Sequence, residues 1–218
     1  MSLLTMNGVT YEDKGNTIIN NFNLEVEKED YISIVGPSGS GKSTILKLFA
    51  NLISPSKGDI YFKGEDYINS SPYDIRKNIT YCFQTPVLFG DTIIDNFKFP
   101  YDVRKKDMDT YRINHLLNLF GFSESLLHKS IHKLSGGEKQ RIALIRSIIF
   151  EPEVLLLDEI TSALDTENTK IVESVIQKLN LDGMTILWVT HNLEQSRKYA
   201  NKLLTVEKGT LKDLEVIK

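Results

Sequence analysis

A chain of 218 residues, 41% apolar and 25% charged, is long enough to bury one large core and too balanced to be disordered, collagen-like or a cysteine-stapled scaffold. A net charge of −3 argues against nucleic acid as the main partner, because neutralising phosphates calls for a basic excess; the one tight basic run, Arg104-Lys105-Lys106, is diluted at once by Asp107 and Asp109. Cys82 is the lone cysteine, which excludes an internal disulfide and, among apolar neighbours, predicts a buried thiol in a reducing compartment.

In chain order, the apolar or alternating runs at 3–11, 21–26 and 31–36 predict strands, broken by turns at Lys14-Gly15-Asn16 and Lys28-Glu29-Asp30. TILKLFANLI, residues 44–53, has apolar residues at helical spacing and stops before Pro55; GDIYFKG at 58–64 reads as a strand. From 107 to 150 the periodicity is helical, in MDTYRINHLLNLFGF and GEKQRIALIRSIIF. VLLLDE at 154–159 is a continuous apolar run ending in two carboxylates, the pattern of a strand buried on both faces. A helix from about Glu167 to Leu181, the strand TILWVTH, a short helix and the strand KLLTVEKG complete the pattern, with no extension expected beyond the strand near Leu204. Strand and helix alternation on both sides of a helical block predicts an α/β fold with a parallel sheet and an insertion. The N-terminus lacks a signal-peptide pattern and no segment approaches ~18 apolar residues, so a cytoplasmic location is expected and any membrane role runs through a partner.

Three stretches carry chemistry. Gly36-Pro37-Ser38-Gly39-Ser40-Gly41-Lys42-Ser43, followed by Thr44, fits G-x-x-x-x-G-K-[ST] directly after a predicted strand and at the start of a predicted helix. In that context the backbone N–H groups cradle a β-phosphate, Lys42 reaches the β/γ oxygens and Ser43 offers its hydroxyl to Mg²⁺. Asp158 at the end of VLLLDE is then a second Mg²⁺ ligand, and Glu159 orients an attacking water, which points to hydrolysis of ATP rather than storage. The third stretch, Leu134-Ser135-Gly136-Gly137-Glu138, places Ser and two glycines at another helix start, a second anion-receptive end. Two such ends are one too many for one ATP in a compact chain, so the second is expected to serve the ATP of another copy.

With LSGGEKQR at 134–141, these motifs resemble the ABC nucleotide-binding domains over nearly the whole chain. The resemblance implies a P-loop NTPase (RecA-like) core with a parallel sheet, an N-terminal antiparallel β subdomain and an inserted helical subdomain. One nucleotide-binding domain is expected over 1–218, its core about 1–84 and 151–218 and its helical subdomain about 85–150. It further implies a head-to-tail homodimer in which Gly36 to Thr44 of one copy and Ser135 to Gly137 of the other enclose each ATP. Gln84 becomes the residue near Mg²⁺ and the permease contact, Tyr11 the aromatic on adenine, Asp165 part of the loop Ser162-Ala163-Leu164-Asp165, and His191 a γ-phosphate contact. The partner implied is an integral membrane permease, with the ATPase peripheral on the inner face of the membrane.

The family usually has Pro after the Walker B glutamate; here Ile160 restores a backbone N–H and frees φ. The run DEITSALD, with YCFQTPVLFGDTIIDNFKFP and LWVTH, is similar to the ATP-binding subunits of Fet-type bacterial transporters, which implies iron export, with lipid, peptide or another metal as alternatives. A soluble ABC protein of translation or repair usually carries tandem cassettes or a long coiled-coil insertion, and the interval from Gln84 to Leu134 is too short for one. A P-loop kinase has no use for LSGGEKQR.

Overall fold

The computed structural model describes residues 2–217. In chain order it has β1 (Leu4–Asp13), β2 (Asn16–Val26), β3 (Tyr31–Val35), α1 (Lys42–Phe49), β4 (Lys57–Phe62), β5 (Glu65–Asp66), α2 (Pro72–Asn78) and β6 (Ile79–Cys82). There follow α3 (Ile93–Arg104), α4 (Thr110–Leu119), α5 (Gly136–Ile148), β7 (Val154–Asp158), α6 (Thr166–Leu181), β8 (Thr185–Val189), α7 (Leu193–Lys198), β9 (Lys202–Glu207) and β10 (Thr210–Val216). These elements group into two compact units. The first takes the chain up to Tyr81, Pro152–Glu159 and everything from Leu179; the second takes Cys82–Glu151 and Ile160–Lys178.

The first unit is built on two sheets. One has the order β2-β1-β4-β5 and the other β10-β9-β3-β8-β7-β6. In the larger sheet β9, β3, β8 and β7 run parallel, and β10 returns antiparallel along β9. Every residue of β7 and of β8 is buried, which explains their near-continuous apolar sequences. Helix α1 packs on β7 and β8, and α7 on β3. The core joins Ile32, Ile34, Ile45, Leu46, Leu156 and Val189, all fully buried. Three hairpins, β1–β2, β4–β5 and β9–β10, turn on a Lys-Gly pair with both residues at positive φ, at 14–15, 63–64 and 208–209. That backbone twist matches the twist of the flanking strands.

In the second unit, α3 starts at Thr92, where the Asp95 carboxylate accepts from the Thr92 hydroxyl (2.7 Å) and from the N–H groups of Thr92 and Asp91. Those bonds, the hydroxyl foremost, hold Asp95 below the usual carboxylate range. Asn96, fully buried, donates to the carbonyls of Phe89 and Thr92 and accepts from the Phe89 N–H and Arg146. The Arg146 guanidinium lies 4.4 Å from the Phe89 ring centroid, so α5 holds the segment that leads into α3. Cys82 is buried as expected, and burial pushes its thiol up to about 11, which keeps it neutral.

Five elements of the structure were not predicted: β5, α2, β6, α3 and β10. Helix α3 carries Pro100 in its interior, a residue that removes a backbone N–H and masks a helical pattern. β10 does extend the chain past the strand near Leu204, its residues mostly exposed and its apolar signal correspondingly weak. Residues 160–178, left with the core by the sequence pattern, group with the second unit. Among the described residues no helix is long and apolar enough to cross a membrane.

The start of β3 is held by Asp30, which is 3% exposed. Its carboxylate accepts from the Glu27 N–H (2.8 Å), Lys202 Nζ (2.7 Å) and Asn201 Nδ2 (3.1 Å), tying β3 to the start of β9. Removing one member of such a buried pair leaves the other charge uncompensated. Asp30→Ala is therefore expected to cost about 3 kcal/mol in folding free energy, read from the midpoint of urea denaturation, with the slope unchanged.

Candidate functional site

β3 runs into Gly36, whose φ is +148°. A Cβ there would lie 2.1 Å from the Val206 carbonyl oxygen on β9, so only glycine fits. The loop closes on itself through the Ser40 N–H and the Pro37 carbonyl (3.2 Å), and Gly209 in the β9–β10 turn donates to the Ser40 carbonyl (3.0 Å). It opens α1 with Gly41 as N-cap and no side chain capping the helix end, so the first-turn N–H groups face outward to an anion. Lys42 is 5% exposed and its ammonium donates to the carbonyls of Gly36 (2.9 Å) and Pro37 (2.8 Å). Burial lowers its pKa from the ordinary lysine value, with the carboxylates of Glu159 and Asp158 acting against that fall.

β7 delivers Asp158, 7% exposed, to the foot of the same loop. Ser43 Oγ donates to its Oδ1 (2.8 Å) and Tyr81 Oη to its Oδ2 (2.5 Å). The next residue, Glu159, sits at φ +50°, and its N–H donates to the Val189 carbonyl at the end of β8 (3.1 Å). Such a conformation is strained for a non-glycine residue and turns the carboxylate out of the strand. Glu159 Oε1 lies 2.8 Å from His191 Nε2; because a carboxylate oxygen only accepts, the imidazole supplies the N–H. His191 is placed by its neighbours: the buried Thr190 hydroxyl donates to Gln195 and accepts from the Asn192 N–H, and Asn192 caps α7.

These groups surround a cavity of about 290 Å³ lined by Ile18, Ser38, Gly39, Gly41 to Thr44, Glu159 and His191, with Asp158 reaching it through Ser43. Its chemistry suits a nucleoside triphosphate with a divalent cation. Gly36 admits no Cβ, Ser40 Oγ is buried without a hydrogen-bond partner, and Ser43 and Asp158 supply hard oxygens. No group of three or more His, Cys, Asp or Glu among the described residues could hold a metal ion, so phosphate oxygens and water would complete the coordination.

In the second unit, Ser135 caps α5. Its hydroxyl accepts from the Glu138 N–H (3.2 Å) while Glu138 accepts from the Ser135 N–H (2.7 Å), a reciprocal box that holds the Glu138 carboxyl below its usual range. Gly137 lies so close to Asn168 that a Cβ would meet Asn168 Nδ2 at 2.9 Å. Asn168 in turn donates its backbone and side-chain N–H groups to Asp165 (2.8 and 2.7 Å), which lowers that carboxyl's pKa. The loop ending in Asp165 is thereby tied to the glycine end of α5. Ile160, in the place of proline, is buried.

The first unit thus gathers Gly36 to Thr44, Asp158, Glu159 and His191, and the second gathers Ser135, Gly136, Gly137 and Asp165. Gln84 is exposed on the loop between β6 and α3, next to Phe83, whose carbonyl accepts from Gln140 on α5 (3.4 Å). Tyr11 lies on β1 opposite Ile19, half-buried against the core; Ile18, not Tyr11, lines the cavity. Sequence reasoning missed Tyr81, Thr190 and Asn168. Tyr81 lies in a strand too short to show a period, whereas Asn168, three residues after Asp165, carried a legible helix-start signal.

The family model described as ABC transporter matches residues 19–162. The chain is 44% identical to the probable iron export ATP-binding protein FetA of Escherichia coli (strain K12), over 94% of this chain and 91% of that protein. It is 37% identical to ABC transporter I family member 17 of Arabidopsis thaliana, over 94% of this chain and 78% of that one. Among solved structures it resembles a dimeric ATP-binding cassette in a post-hydrolysis state bound to ADP and phosphate, with TM-score 0.87, 27% identity and 99% of each chain covered.

The contact between Gly137 and Asn168 has a measurable consequence. Gly137→Ala displaces the Asn168 side chain from Asp165 and is expected to cost about 1–2 kcal/mol. In an Asn168→Ala background the same change should be neutral or stabilising, because the clash is gone and Ala is favoured over Gly in a helix by about 1 kcal/mol. Thermal and urea unfolding of the four proteins measure both numbers.

Proposed function

The chain belongs to the ABC transporter family, and from that membership we propose that this ATP-hydrolysing subunit uses Mg²⁺-ATP to drive a separate membrane permease that exports iron. The observation that carries the enzymatic half is the meeting of the phosphate loop, the Ser43–Asp158 pair and the Glu159–His191 pair around one cavity. The helix-end amides and Lys42 bind the β- and γ-phosphates, and Tyr11 and Ile18 offer apolar surface for the adenine. Ser43 and Asp158 would hold Mg²⁺, and the ion would supply charge neutralisation for the phosphates.

Glu159 orients water in line with the γ-phosphorus and takes its proton. The new bond is from water oxygen to phosphorus, the bond that breaks is from phosphorus to the β–γ bridging oxygen, and ADP leaves with its charge held by Lys42. His191, hydrogen-bonded to Glu159, keeps that carboxylate in place and contacts the γ-phosphate. Ser135 and the N–H groups of Gly136 and Gly137 supply a second anion-binding helix end. In this reading they close on the ATP of a second copy in a head-to-tail dimer, with Asp165 ordering the loop beside them. Loss of the γ-phosphate removes the charge shared by the two copies and lets them part. The loop carrying Gln84 and the helices of the second unit pass that motion to the permease, and in this reading the subunit works from the cytoplasmic face of the membrane.

Iron is supported by the likeness to FetA over nearly the full length of both chains, and the proposal puts iron recognition in the permease. The test is cell-associated iron under iron load in wild type, a deletion, and the deletion complemented with wild type or Glu159→Gln. The Glu159→Gln subunit is expected to hydrolyse ATP at least about 100-fold more slowly while still binding it. Iron should rise in the deletion and fall only with the wild-type copy. Unchanged iron in all four strains refutes iron export, and wild-type turnover by Glu159→Gln refutes the role given to that residue.

A further inference from the structure

Tyr81 opens the run YCFQTPVLFGDTIIDNFKFP but was given no role from the sequence, yet its hydroxyl makes a short contact at the site, 2.5 Å to Asp158 Oδ2. Tyr67 is also half-buried against the core, but its hydroxyl ends on a backbone carbonyl, that of Phe49 (2.7 Å), where it can only stabilise the fold. Tyr81 instead donates to a carboxylate that is 7% exposed and whose other oxygen is shared with Ser43. A buried carboxylate with one oxygen engaged can rotate about its Cβ–Cγ bond, because that terminal torsion is broad and two-fold. With Tyr81 on Oδ2 and Ser43 on Oδ1, the plane of the carboxylate is set from both sides.

We propose that Tyr81 is a positioning residue for the nucleotide-bound cation, holding Oδ2 of Asp158 so that Oδ1, beside Ser43, is the oxygen presented to the metal. The inference rests on the assignment of Asp158 and Ser43 to the cation. The charge-assisted bond from Tyr81 strengthens the site by orientation rather than by charge, since the phenol adds no ligand to the metal. β6 carries this tyrosine three residues before Gln84, so the strand that orients Asp158 is also the one that leads into the loop holding Gln84. A change in the Asp158 carboxylate therefore has a hydrogen-bonded route to the root of that loop.

The test uses the full-length protein and a fluorescent ATP analogue whose affinity is measured in EDTA and across a Mg²⁺ titration. Tyr81→Phe keeps the ring and removes only the hydroxyl, and Asp158→Asn serves as the reference for loss of the metal ligand. Tyr81→Phe is expected to bind the analogue in EDTA as wild type does and to require about tenfold more Mg²⁺ for half-maximal enhancement of binding. A merely structural tyrosine would lower the melting temperature or weaken binding in EDTA without moving the Mg²⁺ midpoint, and that result overturns the proposal. So does a midpoint equal to or below that of wild type. If Asp158→Asn itself retains the wild-type Mg²⁺ dependence, the cation assignment fails and the role of Tyr81 falls with it; if Asp158→Asn loses that dependence and Tyr81→Phe does not, only Tyr81 is excluded.

Discussion

Asp158 is a carboxylate at the end of a strand in which every residue is buried, and the site is organised around the hydrogen bonds that hold it there. Taking such a group from water costs several kcal/mol unless its oxygens are engaged, and two hydroxyls, Ser43 and Tyr81, engage them. Ser43 comes from the first turn of α1 and so binds the phosphate loop to β7. The sheet order β3-β8-β7 then puts the loop after β3, His191 after β8 and Glu159 after β7 at the same edge, the carboxyl ends of three adjacent parallel strands. Ligands of open α/β sheets bind at that edge, because helix N-termini and strand-end side chains converge there.

The phosphate loop illustrates how local backbone constraint becomes function. Gly36 has no room for a side chain against Val206, so the chain must turn where it does, and the turn brings the carbonyls of Gly36 and Pro37 onto the Lys42 ammonium. A lysine held this way is buried and yet hydrogen-bonded, with two carboxylates opposing the effect of desolvation on its charge. In the proposed site, an ammonium fixed this way meets phosphate oxygens at little further entropic cost. The second unit solves a different problem. Its helix end is capped by Ser135 and Glu138 and crowded by Asn168, so the glycines at 136 and 137 keep backbone N–H groups accessible on a helix that is otherwise closed. In the proposed dimer, this helix end is the one that faces the ATP of a second copy.

Much of this was legible in the sequence because the informative residues act through backbone chemistry that composition reveals. The glycine spacing at 36–41, the uninterrupted apolar run of β7 and the Ser-Gly-Gly start of α5 each announce a conformation directly. What was hidden depended on tertiary context. α3 contains Pro100, which removes an N–H and argues against a helix, but the Thr92–Asp95 box and the buried Asn96 supply compensating bonds that no periodicity shows. β10 follows a Lys-Gly pair of the same kind as the recognised turn at 14–15, a signal that was present and outweighed by its exposed, charged faces. Tyr81 was invisible because its meaning lies in what faces it, an aspartate 77 residues further on.

The central claim is that the ATP site is completed in trans, and mixed inactive subunits test it most directly. Lys42→Ala disables the phosphate loop and Ser135→Arg blocks the helix end of the second unit, so each protein alone should be inactive. In a head-to-tail pair of the two, one site takes its phosphate loop from the Ser135→Arg copy and its helix end from the Lys42→Ala copy, both intact. The account predicts that ATP hydrolysis reappears on mixing. A mixture as inactive as its components would contradict it, and would mean that each copy completes its own site.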